Sequence, residues 1–231
     1  MCIHIKHVLL FVAILIFLAS PHFSYANGGV SLGATRVIYP LGGKQVSLAV
    51  NNNNDSTTFL IQSWVSDDKS KKTSDFIITP PLFTLKPNKE NTLRIMYSGQ
   101  LNLPHDRESV YYINSKAIPS MPESARKENT LQIATQTVIK LFVRPKGLSI
   151  PSADAPGMLR CQLSTSELVI SNPSPYYVSL VNISVGGKSL DHTMVPPKGD
   201  IRISAKGGKG IVKFQTVNDY GATTQQMICP V

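Results

Sequence analysis

Apolar and polar residues alternate with a period of two along most of the chain. In 46–50, valine and leucine alternate with small or polar residues, and 93–97 repeats the pattern with leucine, isoleucine and tyrosine. This alternation is typical of β-strands that bury one face. No long window shows the 3.6-residue apolar repeat of an amphipathic helix. The pattern therefore predicts an all-β protein.

Clusters of glycine, proline, asparagine and serine interrupt the predicted strands at short intervals. Short strands with turn signals roughly every 8–12 residues are typical of β-sandwiches. The strongest break lies at 144–148, where Pro145 and Gly147 follow an apolar strand. Because proline cannot continue a central strand, we place a domain boundary there. The predicted domains are 27–147 and 148–231.

The first 26 residues have the order of a secretory signal peptide. Lys6 precedes an apolar run at 8–19, and 24–26 places small residues three and one positions before a cleavage point. About a dozen apolar residues are few for a membrane span, although an uncleaved anchor remains the alternative. We expect cleavage after Ala26 and export to the periplasm. No later segment approaches ~20 apolar residues, so we expect a soluble processed chain without membrane insertion.

Export changes what the charge and the cysteines imply. The formal net charge of +9 comes from scattered basic residues, and export separates the chain from nucleic acid, so we expect no nucleic-acid binding. Cys2 leaves with the signal, and Cys161 and Cys229 then predict one disulfide in an oxidising compartment. Only His105 and His192 remain after cleavage, so we expect neither a metal nor another cofactor.

Recognisable catalytic motifs are absent from the sequence. It contains no Gly-x-Ser-x-Gly elbow, no His-Glu-x-x-His pair and no glycine-rich phosphate loop. A Ser-His-acid site would have only two histidines to draw on. We therefore predict that the protein is not an enzyme and assign no catalytic residues.

Two basic residues lie inside segments that otherwise indicate half-buried strands. Arg36 lies in 30–39, and Lys140 lies among apolar neighbours in 138–143. The residues that a period of two places on the same face as Arg36 are apolar: Leu32, Ala34 and Ile38. A cation on such a sheet must reach water or find an anion. Two interpretations stay open: side chains that extend to the edge of the sheet, or a paired cationic site for a carboxylate.

The strand predicted to lead into Lys140 carries its larger apolar residues on one face. A period of two places these residues together: Leu131, Ile133, Thr135 and Thr137. The pattern suits an ordinary half-buried strand as well as a strand offered to a partner. The alternation alone does not choose between them.

Two motifs, Asp-Arg-Glu-Ser at 106–109 and Ile-Lys-Leu-Phe at 139–142, are specific in this order and spacing. Further matching segments run through the chain: 35–39, 79–81, 103–105, 112–114, 118–119, 129–134, 143–145, 172–178 and 218–221. On these segments the sequence resembles the PapD-like and FimC-like periplasmic chaperones of the chaperone–usher pathway of pilus assembly. The resemblance covers essentially the whole chain after the signal.

This resemblance implies two immunoglobulin-like domains arranged as a boomerang with a cleft between them. It also implies that Arg36 and Lys140 hold the C-terminal carboxylate of a fimbrial subunit. Leu131 and Ile133 match donor positions on the strand that fills the subunit's groove. Thr135 stands where the family usually has a larger apolar residue, a departure that bears on the third donor position and on subunit choice.

Other features of the family map onto the hinge and the loops. Glu108, Arg144 and Asp219 match an interdomain charge network that fixes the hinge angle. The connection at 119–129 resembles the short-loop subfamily, which serves rod-like pili. The spacing of Cys161 and Cys229 departs from that of the best-known members, so the disulfide prediction rests on the compartment alone.

The implied function is a chaperone that binds, stabilises and caps fimbrial subunits by donor-strand complementation and delivers them to an outer-membrane usher. Self-association of the free chaperone stays open. A fimbrial subunit or adhesin would need an N-terminal extension of alternating apolar residues, whereas 27–29 leads almost directly into a strand. A carbohydrate-binding sandwich would expose aromatic residues on loops, whereas Trp64 lies in mid-strand and is expected in the core.

Overall fold

The computed structural model describes residues 28–99, 102–121, 131–205 and 207–230. The predicted signal peptide at 1–26 and most of the 119–129 connection, on which the short-loop assignment depends, lie outside these residues. None of the helices in the described ranges is long and apolar enough to cross a membrane. A single 3-10 helix is described, at Ser152–Met158, and the other elements are strands.

The strands of the first sandwich are β1 (Val30–Leu32), β2 (Arg36–Pro40), β3 (Val46–Asn52), β4 (Phe59–Ser66), β5 (Phe76–Thr79), β6 (Leu82–Leu85), β7 (Glu90–Tyr97), β8 (Ser109–Pro119) and β9 (Thr135–Arg144). They form one sheet in the order β1-β3-β7-β5 and a second in the order β2-β9-β8-β4-β6. The predicted alternation places the core residues between the two sheets. Leu48 and Leu93 of the first sheet and Ile61, Ile113 and Leu141 of the second are almost inaccessible to solvent.

The strands of the second sandwich are β10 (Arg160–Leu163), β11 (Glu167–Asn172), β12 (Val178–Val185), β13 (Lys188–Ser189), β14 (Thr193–Val195), β15 (Gly199–Ser204), β16 (Val212–Thr216) and β17 (Met227–Ile228). One sheet has the order β10-β11-β15. The other has the order β13-β12-β16-β17, with β14 also paired to β12. The second sandwich has its own core, separate from that of the first. The predicted all-β fold of two sandwiches is confirmed.

The predicted disulfide is also confirmed. Cys161 in β10 and Cys229 after β17 are bonded, with their Cα atoms 5.8 Å apart. The bond joins the two sheets of the second sandwich near its terminal strands. It closes a loop of 68 residues, for which the chain-entropy account gives a stabilisation of about 4 kcal/mol.

The segment at 30–39 is not one strand, as the sequence pattern suggested, but two strands on opposite sheets. β1 pairs with β3, and β2 pairs with β9. The chain crosses between the sheets after Gly33, where a Cβ atom would lie 2.9 Å from the Cβ of Ala49. Since a period of two holds only within one strand, the predicted common face of Arg36 with Leu32 and Ala34 is wrong.

The prediction that Trp64 lies in the core is also wrong. Ile61, Ser63 and Val65 point into the first sandwich, so Trp64 projects from the opposite face of β4. Its side chain is half-buried there. An aromatic residue in mid-strand predicts burial only if its face of the strand is known, and the alternation within 59–65 was too weak to assign it.

Candidate functional site

The two cations singled out in the sequence lie side by side. β2 and β9 are parallel, and their register pairs Arg36 with Lys140. Paired residues of neighbouring strands project from the same face of a sheet, with their Cα atoms about 5 Å apart. This face looks toward the second domain, because Arg36 hydrogen-bonds to it. The fold therefore builds one cationic pair from two distant segments.

Arg36 bridges the two domains and keeps unused hydrogen-bonding capacity. Its Nη1 donates to the carbonyl oxygen of Val217 at 2.9 Å and lies 3.4 Å from the hydroxyl of Ser179. The guanidinium carbon also lies 5.9 Å from the ring centre of Phe142. The Nε atom of Arg36 is buried and finds no acceptor among the described residues. Because an unpaired buried donor costs about 1–3 kcal/mol, an added acceptor would be stabilising here.

The electrostatic environment of the pair favours an anion. Burial lowers the pKa of Arg36, against the opposing effects of Asp219 and Glu108. Burial, followed by repulsion from Arg36, lowers the pKa of Lys140. Within the described ranges, neither cation forms an ion pair with a carboxylate at 4 Å or less. A carboxylate bound between them would relieve the repulsion and accept several hydrogen bonds.

The three residues predicted to form a charge network also meet at the domain junction. Arg144, at the end of β9, donates from Nε to Oε1 of Glu108 at 2.7 Å. Its Nη1 and Nη2 atoms bind the two carboxylate oxygens of Asp219 at 2.7 and 2.8 Å. This two-point contact joins the last strand of the first domain to the second domain. The Ser152 hydroxyl donates to the same Asp219 carboxylate at 2.9 Å.

Burial and pairing act in opposite directions on these charges. Glu108 is only 3% exposed, and burial raises its pKa although Arg144 and the backbone N–H of Tyr177 stabilise the carboxylate. Burial would also raise the pKa of Asp219, but hydrogen bonds from Arg144 outweigh it and lower that pKa. For Arg144, burial disfavours the cation, and the two carboxylates together raise its pKa.

The donor strand begins later in the structure than the sequence predicts. Its residues are also more exposed than those of a half-buried strand. β9 begins at Thr135, so Leu131 and Ile133 precede the regular strand, with 83% and 66% of their surface exposed. Thr135 and Thr137 are in β9 and are exposed as well. β9 pairs with β8 from Thr135 onward but with β2 only from Lys140 onward. Among the described strands, the first half of β9 therefore has a free edge.

Several contacts at the junction were missed by sequence reasoning. The Val217 carbonyl gives no sequence signal, because any residue carries the same group. Lys198 forms a second interdomain ion pair with Asp106 at 2.5 Å, and the same carboxylate binds Arg107 at 3.0 Å. Asp106 lies in the motif at 106–109, so its position could have been noted. Lys198 could not, because it lies in a turn of the second domain and only the fold brings it to Asp106.

A cavity of about 260 Å³ lies between the domains beside Arg36. Residues from both domains form its wall, among them Arg36, Phe142, Arg144, Tyr176, Asp219 and Tyr220. The part of the chain that the structure describes holds no group of three His, Cys, Asp or Glu residues that could bind a metal ion. The junction is thus equipped for contacts with a carboxylate and with apolar groups.

Two family profiles match the chain in succession. The profile described as "Pili and flagellar-assembly chaperone, PapD N-terminal domain" matches residues 29–149. The profile described as "Pili assembly chaperone PapD, C-terminal domain" matches residues 154–227. The two matches together span most of the chain and follow the order of the two sandwiches.

Individual proteins agree with the profiles. The chain is 48% identical over 215 residues to Chaperone protein FocC of Escherichia coli, covering 92% of this chain and 93% of FocC. It is 46% identical over 220 residues to Chaperone protein FimC of Escherichia coli, covering 94% and 91%. The crystal structure of the periplasmic chaperone SfaE matches with a TM-score of 0.79 at 47% identity, covering 88% of this chain and 100% of SfaE.

A solved complex extends the comparison. The SafB chaperone of Salmonella enterica, in its complex with the SafA pilin, matches with a TM-score of 0.80 at 30% identity, over 90% of this chain and 99% of SafB. The profiles and relatives describe chaperones and not enzymes. The chain therefore belongs to the PapD-like family of periplasmic chaperones, which act in pilus assembly by the chaperone–usher pathway.

Proposed function

We propose that this chaperone holds a pilin subunit by lending it the first half of β9 and the preceding residues while Arg36 and Lys140 bind the subunit's C-terminal carboxylate. The proposal rests on the position at which β2 begins. Its first residue, Arg36, pairs with Lys140, so the free edge of β9 ends at the cationic pair.

The direction of β2 specifies how a subunit strand fits this edge. Since β2 runs parallel to β9, a subunit strand that continues the line of β2 would also run parallel to β9. Its C-terminal end would then reach the start of β2, beside Arg36 and Lys140. A terminal carboxylate fits this position because the two cations provide charge-assisted hydrogen bonds to it.

The exposed side chains ahead of β9 supply the apolar part of the interaction. A subunit that lacks one strand exposes an apolar groove and unpaired backbone groups, which favour aggregation. Backbone hydrogen bonds to β9 would satisfy those groups, and alternate side chains would fill the groove. Burying Leu131 or Ile133 there would contribute roughly 1.5–3 kcal/mol each. Thr135 and Thr137 are smaller and would contribute less.

The cationic pair has a separate role in setting the register. A strand displaced by one residue would turn every donor side chain to the wrong face. A carboxylate held at one point prevents this displacement. We further propose that the network of Glu108, Arg144 and Asp219 holds the domain angle at which the pair and the free edge are aligned.

The proposed function also includes removal of the signal peptide, the division into two domains and delivery of the subunit. The division into a subunit-binding domain at 27–147 and a second domain at 148–231, after removal of 1–26, suits the two cores. The short-loop subfamily is proposed from the 119–129 connection. Delivery of the subunit to an outer-membrane usher completes the proposed function. The relative SafB, solved with the SafA pilin, supports a pilin as the bound partner.

Co-purification of a pilin subunit with variants of the chaperone tests the proposal. We expect Arg36→Ala or Lys140→Ala to reduce the captured subunit strongly, and the double variant Leu131→Asp/Ile133→Asp to abolish capture. The matched control is Ile77→Asp/Leu82→Asp, which places the same two charges on exposed apolar residues of β5 and β6, which are 50% and 55% accessible. Undiminished capture by both cation variants would refute the anchor, and normal capture by the double aspartate variant would refute the donor assignment.

A further inference from the structure

The loop that follows β16, residues 217–221, meets the first domain at the start of β2. The Val217 carbonyl accepts the hydrogen bond from Arg36. Gly221 packs so closely on Thr35 that a Cβ atom there would lie 2.3 Å from the Thr35 hydroxyl oxygen. Gly221 also has a φ of +84°, which favours glycine. The 217–221 loop is therefore in contact with the residues that carry one half of the cationic pair.

The 217–221 loop is held in one conformation by its own hydrogen bonds. The Asn218 side-chain oxygen accepts from the backbone N–H groups of Tyr220 at 3.1 Å and Ala222 at 3.0 Å. The Asn218 carbonyl accepts from Gly221 at 3.0 Å. The next residue, Asp219, is bound at two points by Arg144. Contacts on both sides of position 220 thus fix the backbone of the loop.

Tyr220 is presented to solvent on this fixed support. Its side chain is 95% exposed, although Asp219 and Gly221 on either side are engaged with the first domain. It also borders the interdomain cavity, together with Arg36. Tyrosine on a rigid support is a common energetic centre of protein interfaces, because the ring offers a large contact area and loses little conformational entropy.

We propose that Tyr220 binds the last residues of the pilin subunit, packing its ring on the segment whose carboxylate is held by Arg36 and Lys140. This inference rests on the proposed function and adds a contact residue from the second domain. The 217–221 loop contacts Arg36 directly, and Tyr220 lines the same cavity as Arg36, so a chain whose carboxylate reaches Arg36 would end beside this loop. The ring would favour an apolar or aromatic side chain close to the subunit's C-terminus.

The test uses a synthetic peptide spanning the last strand of a pilin subunit, prepared with a free carboxylate and with an amidated terminus. We expect Tyr220→Ala to weaken binding of both peptides about tenfold, because it removes an aromatic contact that does not involve the carboxylate. Tyr220→Phe keeps the ring and should stay within about twofold of the parent protein. Amidation should weaken binding to the parent protein and to Tyr220→Ala alike.

The two peptides separate failure of this inference from failure of the proposed function. If amidation weakens binding but Tyr220→Ala binds as well as the parent protein, Tyr220 is not a subunit contact and the carboxylate anchor stands. If amidation has no effect, the anchor itself fails and takes this inference with it. If Tyr220→Ala leaves peptide binding and subunit capture unchanged but reduces assembled pili, Tyr220 acts at delivery and the inference is overturned.

A matched control comes from the same domain. Ile228 is 63% exposed on β17, away from the lining of the interdomain cavity, and Ile228→Ala should leave peptide binding unchanged. Tyr220→Ala removes an exposed side chain, so its thermal unfolding should match that of the parent protein. Equal weakening by Ile228→Ala and Tyr220→Ala would point to a general effect on the domain and would overturn the assignment.

Discussion

The first and second halves of β9 differ in their neighbours and in their burial. From Lys140 onward the strand runs between β2 and β8, and the inward-facing Leu141 and Val143 are almost fully buried. Among the strands that the structure describes, residues 135–138 pair with β8 alone, and side chains on both faces are exposed. The second half therefore has both the packing and the pairing of a central strand, and the first half has the free backbone groups of an edge strand.

One strand can therefore support the fold and also be available to a partner. Core burial and pairing on both sides concentrate the stability in the second half. An exposed edge is normally an aggregation hazard, which natural proteins shorten, charge or cover. Here the free edge is short and ends at two cations, Arg36 and Lys140. Substitutions in the two halves should accordingly affect different properties, which the following experiments test.

The largest effect on stability is expected in the second half. Leu141→Ala should lower the free energy of unfolding by about 2–5 kcal/mol, because it removes fully buried volume from the first sandwich. Thr137→Ala in the first half should change it by no more than about 0.5 kcal/mol. Urea unfolding measures both values. Similar losses for the two variants would contradict the division of the strand.

Arg144, at the end of the second half of β9, should stabilise the protein through charge rather than through packing. Arg144→Ala removes the partner of the buried Glu108, and we expect a loss of about 2–3 kcal/mol. The loss is limited because Glu108, whose pKa burial already raises, can take up a proton. The control is Arg107→Ala, which breaks the solvent-exposed pair with Asp106 and should leave the free energy of unfolding nearly unchanged. Equal costs for both variants would show that the junction network adds no more than a surface ion pair.

Hydrogen exchange rates should distinguish the two halves of β9 in the unsubstituted protein. Backbone amides at 135–138 that point away from β8 have no partner strand in the described ranges, so they should exchange close to the rate of an unstructured chain. Amides at 140–143 should exchange far more slowly, because β2 and β8 protect both sides. Binding of a pilin subunit should protect the first set and leave the second nearly unchanged. Uniform protection along free β9 would contradict the free edge.

The smallest expected effect is on the pH dependence of subunit binding. It arises from Lys140, which lies at the boundary between the two halves of β9. Burial and repulsion from Arg36 lower the pKa of Lys140 in the free protein, and a bound carboxylate would raise it. The contribution of Lys140 to affinity is thus complete below its pKa in the free protein and is lost as the pH rises through its pKa in the complex. We expect affinity to fall up to about fivefold over this alkaline range, and Lys140→Arg to remove the fall. A fall that persists in Lys140→Arg would assign the titration to another group.

Much of the fold could be predicted because its signals are local. Alternation within single strands, such as 46–50 and 93–97, indicated the β class, and the Pro145–Gly147 break indicated two sandwiches. Two cysteines in an exported chain indicated one disulfide, and the bond between Cys161 and Cys229 is present. These features depend on residue type and on neighbours in sequence, so they can be recognised without the tertiary structure.

The errors arose where a local pattern had to be assigned to a face or a sheet. The alternation groups Arg36 with Leu32, which lies on the other sheet. The mid-strand position of Trp64 predicts a core residue, but its face of β4 points away from the core. The pattern includes Leu131 and Ile133 in a strand that begins only at Thr135. Each error concerns a position relative to residues that are distant in sequence.

The β class, the cysteine pair and the charged residues within apolar surroundings follow from residue types and their order along the chain. The packing of distant strands, in contrast, makes Arg36 and Lys140 registered neighbours, brings the Val217 carbonyl to the guanidinium, and leaves β9 with a free edge among the described strands that ends at this pair. Alternation and composition depend on neighbouring residues. Register, edge exposure and backbone hydrogen bonds between domains depend on which distant strands pack together.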